Sequence, residues 1–260
     1  MTEEKLLENE PKSAPGDTSR QRLGESWENE PKPAPEDTSR QTPGKASENT
    51  PENALTQAQK NIAQSGQNPK EPLAPFVNES WLKKINPDYR MWVSIPGTGI
   101  NYPIVQYVDN QYYLNHNFYK EEHIGGCIFL DSSIQPLITD NTILYGHNMK
   151  DGSMFGTLKK YRDEAFYLEH PVVSIFYGGR WTNCPVFSCQ LRSETDADPY
   201  RKDLLDTEWL PYLEEMRAAS LYYINYPFTG GERIITLSTC YGSSQRLVIQ
   251  AAMPDYTKER

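Results

Sequence analysis

The run Ile234-Ile235-Thr236-Leu237-Ser238-Thr239-Cys240, followed across Tyr241-Gly242-Ser243-Ser244-Gln245 by Arg246-Leu247-Val248-Ile249, decides the fold. Its first part is β-branched and apolar, which predicts a buried strand ending on Cys240. The second part predicts another strand, and the turn-rich residues between them make the two a hairpin. A hairpin sets a thiol and a guanidinium near each other on neighbouring strand ends. That pair suits acyl transfer, in which sulfur attacks a carbonyl and a fixed cation stabilises the oxyanion.

Working outward, short strand patterns recur at Met91 to Ile95, Ile100 to Gln106, Gly126 to Leu130, Thr142 to Tyr145, Val172 to Tyr177, Trp181 to Leu191 and Leu221 to Tyr226. Helical patterns occupy Phe76 to Ile85, stopped by Asn86-Pro87-Asp88, and also Met154 to Tyr161 and Leu205 to Met216. Many short strands separated by Gly, Pro and Asn, with few helices, predict a mainly β protein: a barrel or sandwich decorated by helices.

Composition divides the 260 residues unevenly. Residues 1–70 hold eight prolines, a single aromatic (Trp27) and 13 residues of the hydrophobic set. Such a stretch buries too little apolar surface to offset its ordering entropy, so disorder is expected. It also repeats: Glu8-Asn9-Glu10-Pro11-Lys12 through Asp17-Thr18-Ser19-Arg20-Gln21 returns as Glu28-Asn29-Glu30-Pro31-Lys32 through Asp37-Thr38-Ser39-Arg40-Gln41. The units lack an apolar face to stack, which predicts a linker or stalk rather than a solenoid. Residues 71–260 carry enough apolar and aromatic side chains for one sizeable core, the expected catalytic domain.

The net charge of −9 falls on both parts, with nine basic against twelve acidic residues in 1–70 and 17 against 23 in the rest. No basic run of useful length appears, which argues against nucleic acid and a polybasic membrane clamp. No stretch of about 18 apolar residues exists, and the N-terminus lacks the apolar core of a signal peptide. As given, the chain is expected to be soluble, with membrane association only through a segment outside this sequence.

Four cysteines and four histidines are the candidate chemistry. Cys184 and Cys189 lie five apart in one strand pattern, which predicts opposite faces and no disulfide between them. Cys127 sits in an apolar run and reads, like them, as a buried inert thiol. No metal or other cofactor is expected, since Cys-x-x-Cys pairs are absent and the histidines scattered. Among these, His170 precedes Pro171 in a polar turn, and His116 and His123 flank a tyrosine-rich stretch. His147 differs, because it ends a strand pattern in Asn141-Thr142-Ile143-Leu144-Tyr145-Gly146-His147, where an imidazole can project over a sheet rim.

Three segments in this order resemble a known family. Tyr145-Gly146-His147-Asn148-Met149 with Gly152-Ser153-Met154-Phe155 is similar to the histidine motif of class B sortases. Thr236-Leu237-Ser238-Thr239-Cys240 resembles their cysteine motif, and Arg246 falls where the sortase arginine belongs. Ile85-Asn86-Pro87-Asp88, Trp92-Val93-Ser94-Ile95-Pro96-Gly97-Thr98 and Tyr102-Pro103-Ile104-Val105 resemble the opening strands, so the likeness covers about residues 73–253. It departs from the pattern in a shorter stretch between Cys240 and Arg246, and in Tyr241 where an acidic or small polar residue is common.

The resemblance implies an eight-stranded β-barrel with an N-terminal helix and a longer helix before the last strands. It implies a cysteine transpeptidase that cleaves a C-terminal sorting signal after Thr and joins the carbonyl to an amine of the peptidoglycan precursor. Its partners would be surface proteins bearing that signal, and its place the outer face of the cytoplasmic membrane in Gram-positive bacteria. Cys240 would be the nucleophile, His147 the acid/base and Arg246 the oxyanion-stabilising and substrate-orienting cation. Ser238, Thr239 and Tyr241 would line the bound peptide, with walls from the helix at Leu205 to Met216, the loop before it and the 241–245 turn.

With ordinary pKa values of about 8.5 for a thiol and 6.5 for imidazole, the thiolate–imidazolium pair is about one hundredth as populated as the neutral pair. Arg246 would favour thiolate and oppose imidazolium, so it does not by itself choose the ionic form. Two other readings compete: a cysteine hydrolase or L,D-transpeptidase-like enzyme, and a surface binding module in which Cys240 is an inert core thiol.

Overall fold

The computed structural model describes residues 77–202 and 204–257. The proline-rich repeat of residues 1–70 lies outside the described residues.

Among the described residues, eight strands close into a barrel. They are β1 (Tyr89–Ser94), β2 (Asn101–Val105), β3 (Ile128–Leu130), β4 (Asn141–Tyr145), β5 (Val172–Tyr177), β6 (Arg180–Ser193), β7 (Glu232–Tyr241) and β8 (Gln245–Thr257). Their order around the barrel is β1-β2-β3-β4-β7-β8-β6-β5. The β2–β3 and β4–β7 pairs are parallel and the others antiparallel. Closure resolves the choice between barrel and sandwich and removes the exposed edges an open sheet would present.

Helix α1 (Glu79–Ile85) starts at Asn78, whose side chain accepts from Trp81 N at 3.0 Å, and ends before Pro87. The 154–161 pattern forms a 3₁₀ segment, Gly156–Arg162, followed by a short helix α2 (Glu164–Glu169). The longer helix, α3 (Asp206–Ala218), precedes β7. Its start is closed by Glu208, which accepts from Leu205 N at 3.1 Å.

Alternation along β7 sorts its two faces. Ile235 and Leu237 join Leu247, Ile249 and Ala251 of β8 in the barrel interior, while Thr236, Ser238 and Cys240 take the other face. Outside the barrel, α3 buries Trp209, Tyr212, Leu213 and Met216 against Phe187, Ile234 and Ala252.

Two sequence expectations fail for identifiable reasons. Leu221 to Tyr226 is not a strand. Its burial does alternate, with Ile224 buried and Leu221 and Tyr223 exposed, but it joins none of the eight strands found among the described residues. It is fixed instead by Leu221 N donating to Cys189 O (2.7 Å) and Tyr222 OH donating to Tyr161 O (2.9 Å). Cys184 and Cys189 do not face opposite ways: both lie in the main core cluster. The β6–β8 register slips between Val186 and Ser188, and that bulge resets the parity of the strand. No disulfide joins the four cysteines.

Candidate active site

Cys240 and Arg246 are cross-strand partners at the turn end of the β7–β8 hairpin. Arg246 Nη1 donates a hydrogen bond to Cys240 Sγ. Cys240 is the exposed thiol of the four; Cys127, Cys184 and Cys189 are buried. Burial pushes the Cys127 and Cys189 thiols up to about 12, which keeps them protonated at neutral pH. Cys240 is therefore not a core thiol.

His147 reaches the same rim through the parallel β4–β7 pair. Tyr145 is registered with Ser238, so the chain leaving β4 runs beside Thr239 and Cys240. Two contacts continue this alignment beyond the ladder: Gly146 N donates to Ser238 O (3.3 Å), and Thr239 Oγ1 donates to Gly146 O (2.7 Å). The imidazole is oriented by Leu114, whose carbonyl lies 2.7 Å from His147 Nε2. A carbonyl can only accept, so Nε2 carries the proton and the lone pair of the neutral ring is on Nδ1.

The Leu114 carbonyl is itself held firmly. It ends the Tyr112–Leu114 turn, where Tyr113 O accepts from Cys127 N (3.0 Å) and Tyr113 OH donates to Asp88 Oδ2 (2.8 Å). Gly126 packs directly beneath with φ +53°; a Cβ there would come within 2.3 Å of Tyr113 O and 2.6 Å of Leu114 O.

The remaining histidines are engaged elsewhere. His116 stacks on Tyr112 at 4.0 Å, His123 Nδ1 accepts from Gly125 N, and His170 Nδ1 donates to Pro96 O at 2.9 Å.

Ser238 and Thr239, expected along the peptide, are both 2% exposed and spend their hydroxyls inward. Ser238 Oγ shares a 2.8 Å hydrogen bond with Tyr200 OH, and Thr239 binds Gly146. Their position braces the strand end and offers little surface to a ligand. Tyr241 sits half-buried under Arg162, whose guanidinium lies 5.0 Å from the ring centroid and donates to its hydroxyl. Helix α3 packs against Ile234, six residues (about 20 Å) along β7 from Cys240. Of the other two expected walls, the turn before α3 brings Tyr200 to Ser238, and the 241–245 turn directly follows Cys240.

Three groups that the sequence pattern does not single out complete the surroundings: the Leu114 carbonyl, Asn148 and Tyr200. Asn148 Nδ2 donates to the Cys240 carbonyl at 2.9 Å. Burial pushes the Tyr200 phenol up, with the Ser238 hydrogen bond and the Arg246 charge opposing. Tyr200 is carried by the turn Asp198–Tyr200, which a buried amide network fixes to the barrel wall. Asn141 Nδ2 donates to Pro199 O (3.0 Å) and Arg201 O (3.0 Å), and Gln250 Nε2 donates to Pro199 O (3.2 Å). Gln190 Nε2 donates to Gln250 Oε1 (3.0 Å), carrying the network across to β6.

An exposed thiol in contact with a guanidinium, with a histidine carried by the strand end paired alongside, is equipped for nucleophilic acyl transfer. The sortase domain family matches residues 93–254. Sortase B of Listeria monocytogenes serovar 1/2a is 39% identical over 180 residues, covering 66% of this chain and 72% of that protein. The solved Clostridium perfringens sortase B is 34% identical with a TM-score of 0.64, covering 67% of this chain and 98% of that one. A Staphylococcus aureus sortase B–substrate complex is 29% identical with a TM-score of 0.64, covering 78% and 93%. The chain belongs to the sortase family. Within it, the chain is a class B sortase, a cysteine transpeptidase of the Gram-positive cell wall.

Proposed function

We propose that Cys240 is the nucleophile, His147 the general acid/base and Arg246 the oxyanion-stabilising cation in cleavage of a C-terminal sorting signal after its threonine. The observation that carries this reading is the hydrogen bond from Arg246 Nη1 to Cys240 Sγ across the hairpin. A fixed guanidinium beside the attacking sulfur is also beside the carbonyl oxygen that becomes negative during attack.

Sγ attacks the threonine carbonyl carbon, and the C–N bond breaks. His147 transfers the proton lost by Cys240 to the departing amine, leaving a thioester. An amine of the peptidoglycan precursor then attacks the thioester carbonyl and gives a proton to His147, and the C–S bond breaks to release the thiol. The Leu114 carbonyl suits both halves, because it accepts from Nε2–H whether or not Nδ1 is protonated. Water competes with the amine, so selectivity depends on how the acceptor is seated near the thioester.

The peptide lies extended across the barrel rim, its threonine beside Cys240 and its proline bending the chain towards the turn that carries Tyr200. Membership of class B favours a signal of the form Asn-Pro-x-Thr over Leu-Pro-x-Thr-Gly. Residues 71–260 carry this activity at the outer face of the cytoplasmic membrane, and residues 1–70 serve as linker or stalk. No helix among the described residues is long and apolar enough to cross a membrane.

The test is a peptide panel varying the first and last signal positions, with and without an added amine, using Cys240→Ala as control. Preferred cleavage of Asn-Pro-x-Thr peptides and diversion of product into an amine ligate are expected. Equal cleavage of all peptides would refute the specificity, and hydrolysis that no amine diverts would refute transfer.

A further inference from the structure

We propose that Asn148 is a positioning residue that locks the His147 loop to the strand end bearing Cys240; this rests on the catalytic roles proposed above. In a continuing parallel ladder, the strand entering from β4 would bond β7 at every second residue. Gly146 N does so, donating to Ser238 O at 3.3 Å. The next donor on that edge should serve Cys240 O, two residues on, and in register it would come from residue 148. The backbone of residue 148 has turned away: it bridges Met154, and the neighbouring His147 O accepts from Phe155 N at 2.9 Å. The Asn148 side-chain amide replaces the missing backbone donor, reaching Cys240 O at 2.9 Å.

His147 therefore lies between two stitches, Gly146 to β7 on one side and Asn148 to β7 on the other. Its own backbone makes neither, and its ring is left for Leu114 and the thiol. The amide thus fixes how far the imidazole stands from the nucleophile, a distance to which proton transfer is steeply sensitive. The Asn148 amide bonds the Cys240 carbonyl and not its sulfur, so its effect is exerted through His147 and the Cys240 backbone.

The full chain tests this with Asn148→Leu, which keeps the shape without the donor, and Asn148→Gln, which keeps an amide one methylene further out. The readouts are kcat and KM on the fastest peptide of the panel, the thermal midpoint, and the pH profile of Cys240 alkylation by iodoacetamide. Asn148→Leu should lower kcat about tenfold with KM little changed. Its alkylation profile should lose the inflection that His147→Ala also removes, and Asn148→Gln should recover part of both. Asn148→Leu within twofold of wild type, or impaired with an unchanged alkylation profile, would overturn the proposal. So would equal loss in both variants with a lowered thermal midpoint, which marks a structural role. The underlying reading fails separately, if Cys240→Ala or His147→Ala still transfers the peptide.

Discussion

Arg246 stands directly across the β7–β8 hairpin from Cys240 and donates to its sulfur. Two residues on adjacent strands in register cannot drift apart without breaking the ladder, so the cation is part of the scaffold. Arg246→Ala should lower kcat/KM about 10²- to 10³-fold, the range for loss of one oxyanion donor. Arg246→Lys should remain strongly impaired, because an ammonium lacks the planar fork that can serve sulfur and oxygen together. Activity within tenfold of wild type in the lysine variant would show that charge alone suffices.

Selective thiol chemistry follows from burial. In the native chain one thiol, Cys240, should alkylate rapidly, and Cys240→Ala should leave none that reacts on that timescale. In denaturant all four should react. Mass spectrometry after a brief iodoacetamide pulse separates the cases, and rapid native labelling of Cys127, Cys184 or Cys189 would contradict the packing.

The hairpin and both site strands are legible in the sequence because a β-branched run bounded by a polar turn has few alternatives. The chain order of strands hides their neighbours, however, and the β4–β7 pairing that brings His147 to Cys240 joins segments far apart in sequence. Leu221 to Tyr226 shows the limit of alternation: a period of two reports which side chains are buried, and Tyr222 and Ile224 are covered without any ladder. Simple alternation misplaces Cys184 and Cys189 because one bulge inverts every later residue of the strand. Asn148 falls inside the quoted histidine motif, but its role, like that of Tyr200, has no local signal, since their partners Cys240 and Ser238 are 92 and 38 residues away.

Gly126 couples backbone conformation to the orientation of His147. Its φ is +53°, and a Cβ added there would lie 2.6 Å from Leu114 O, so Gly126→Ala must displace the carbonyl that binds Nε2. A destabilisation of about 1–3 kcal/mol is expected from the strained φ and the clash. The activity loss should exceed what the unfolded fraction explains, at a temperature where the variant remains folded by circular dichroism. Wild-type kcat in a folded variant would show that the Leu114 carbonyl does not set the orientation of His147.

The amide network below Tyr200 should behave as one unit. Gln250 is fully buried and bonds Pro199 O, Thr236 Oγ1 and Gln190. Gln250→Leu removes those three bonds, while Pro199 O keeps Asn141 and Tyr212, Thr236 keeps Asn141, and Gln190 keeps Ser188 and Met216 O, so a cost of about 1–2 kcal/mol is expected. The turn carrying Tyr200 should loosen with it, raising KM for the peptide. Urea unfolding and steady-state kinetics check both parts, and a variant as stable as wild type would show that water replaces the amide.

Alkaline stability gives the last prediction, and its sign follows from burial. Burial raises the Cys127 and Cys189 thiols from near 9 to about 12, and the Tyr167 and Tyr226 phenols from 10 to about 12. Below the lower values both folded and unfolded states hold these protons, so stability is fully present. Above about pH 9 the unfolded chain releases thiol protons that the folded chain retains, and stability falls as pH rises towards 12. Each thiol contributes a slope of about 1.4 kcal/mol per pH unit across that window. The denaturant midpoint should therefore be flat from neutral to about pH 8.5 and decline steeply beyond it. Cys127→Ala and Cys189→Ala should each flatten that limb while lowering the neutral-pH plateau, because each also leaves a small void. A midpoint unchanged between pH 9 and 11 in the wild type would mean that these thiols titrate as readily folded as unfolded.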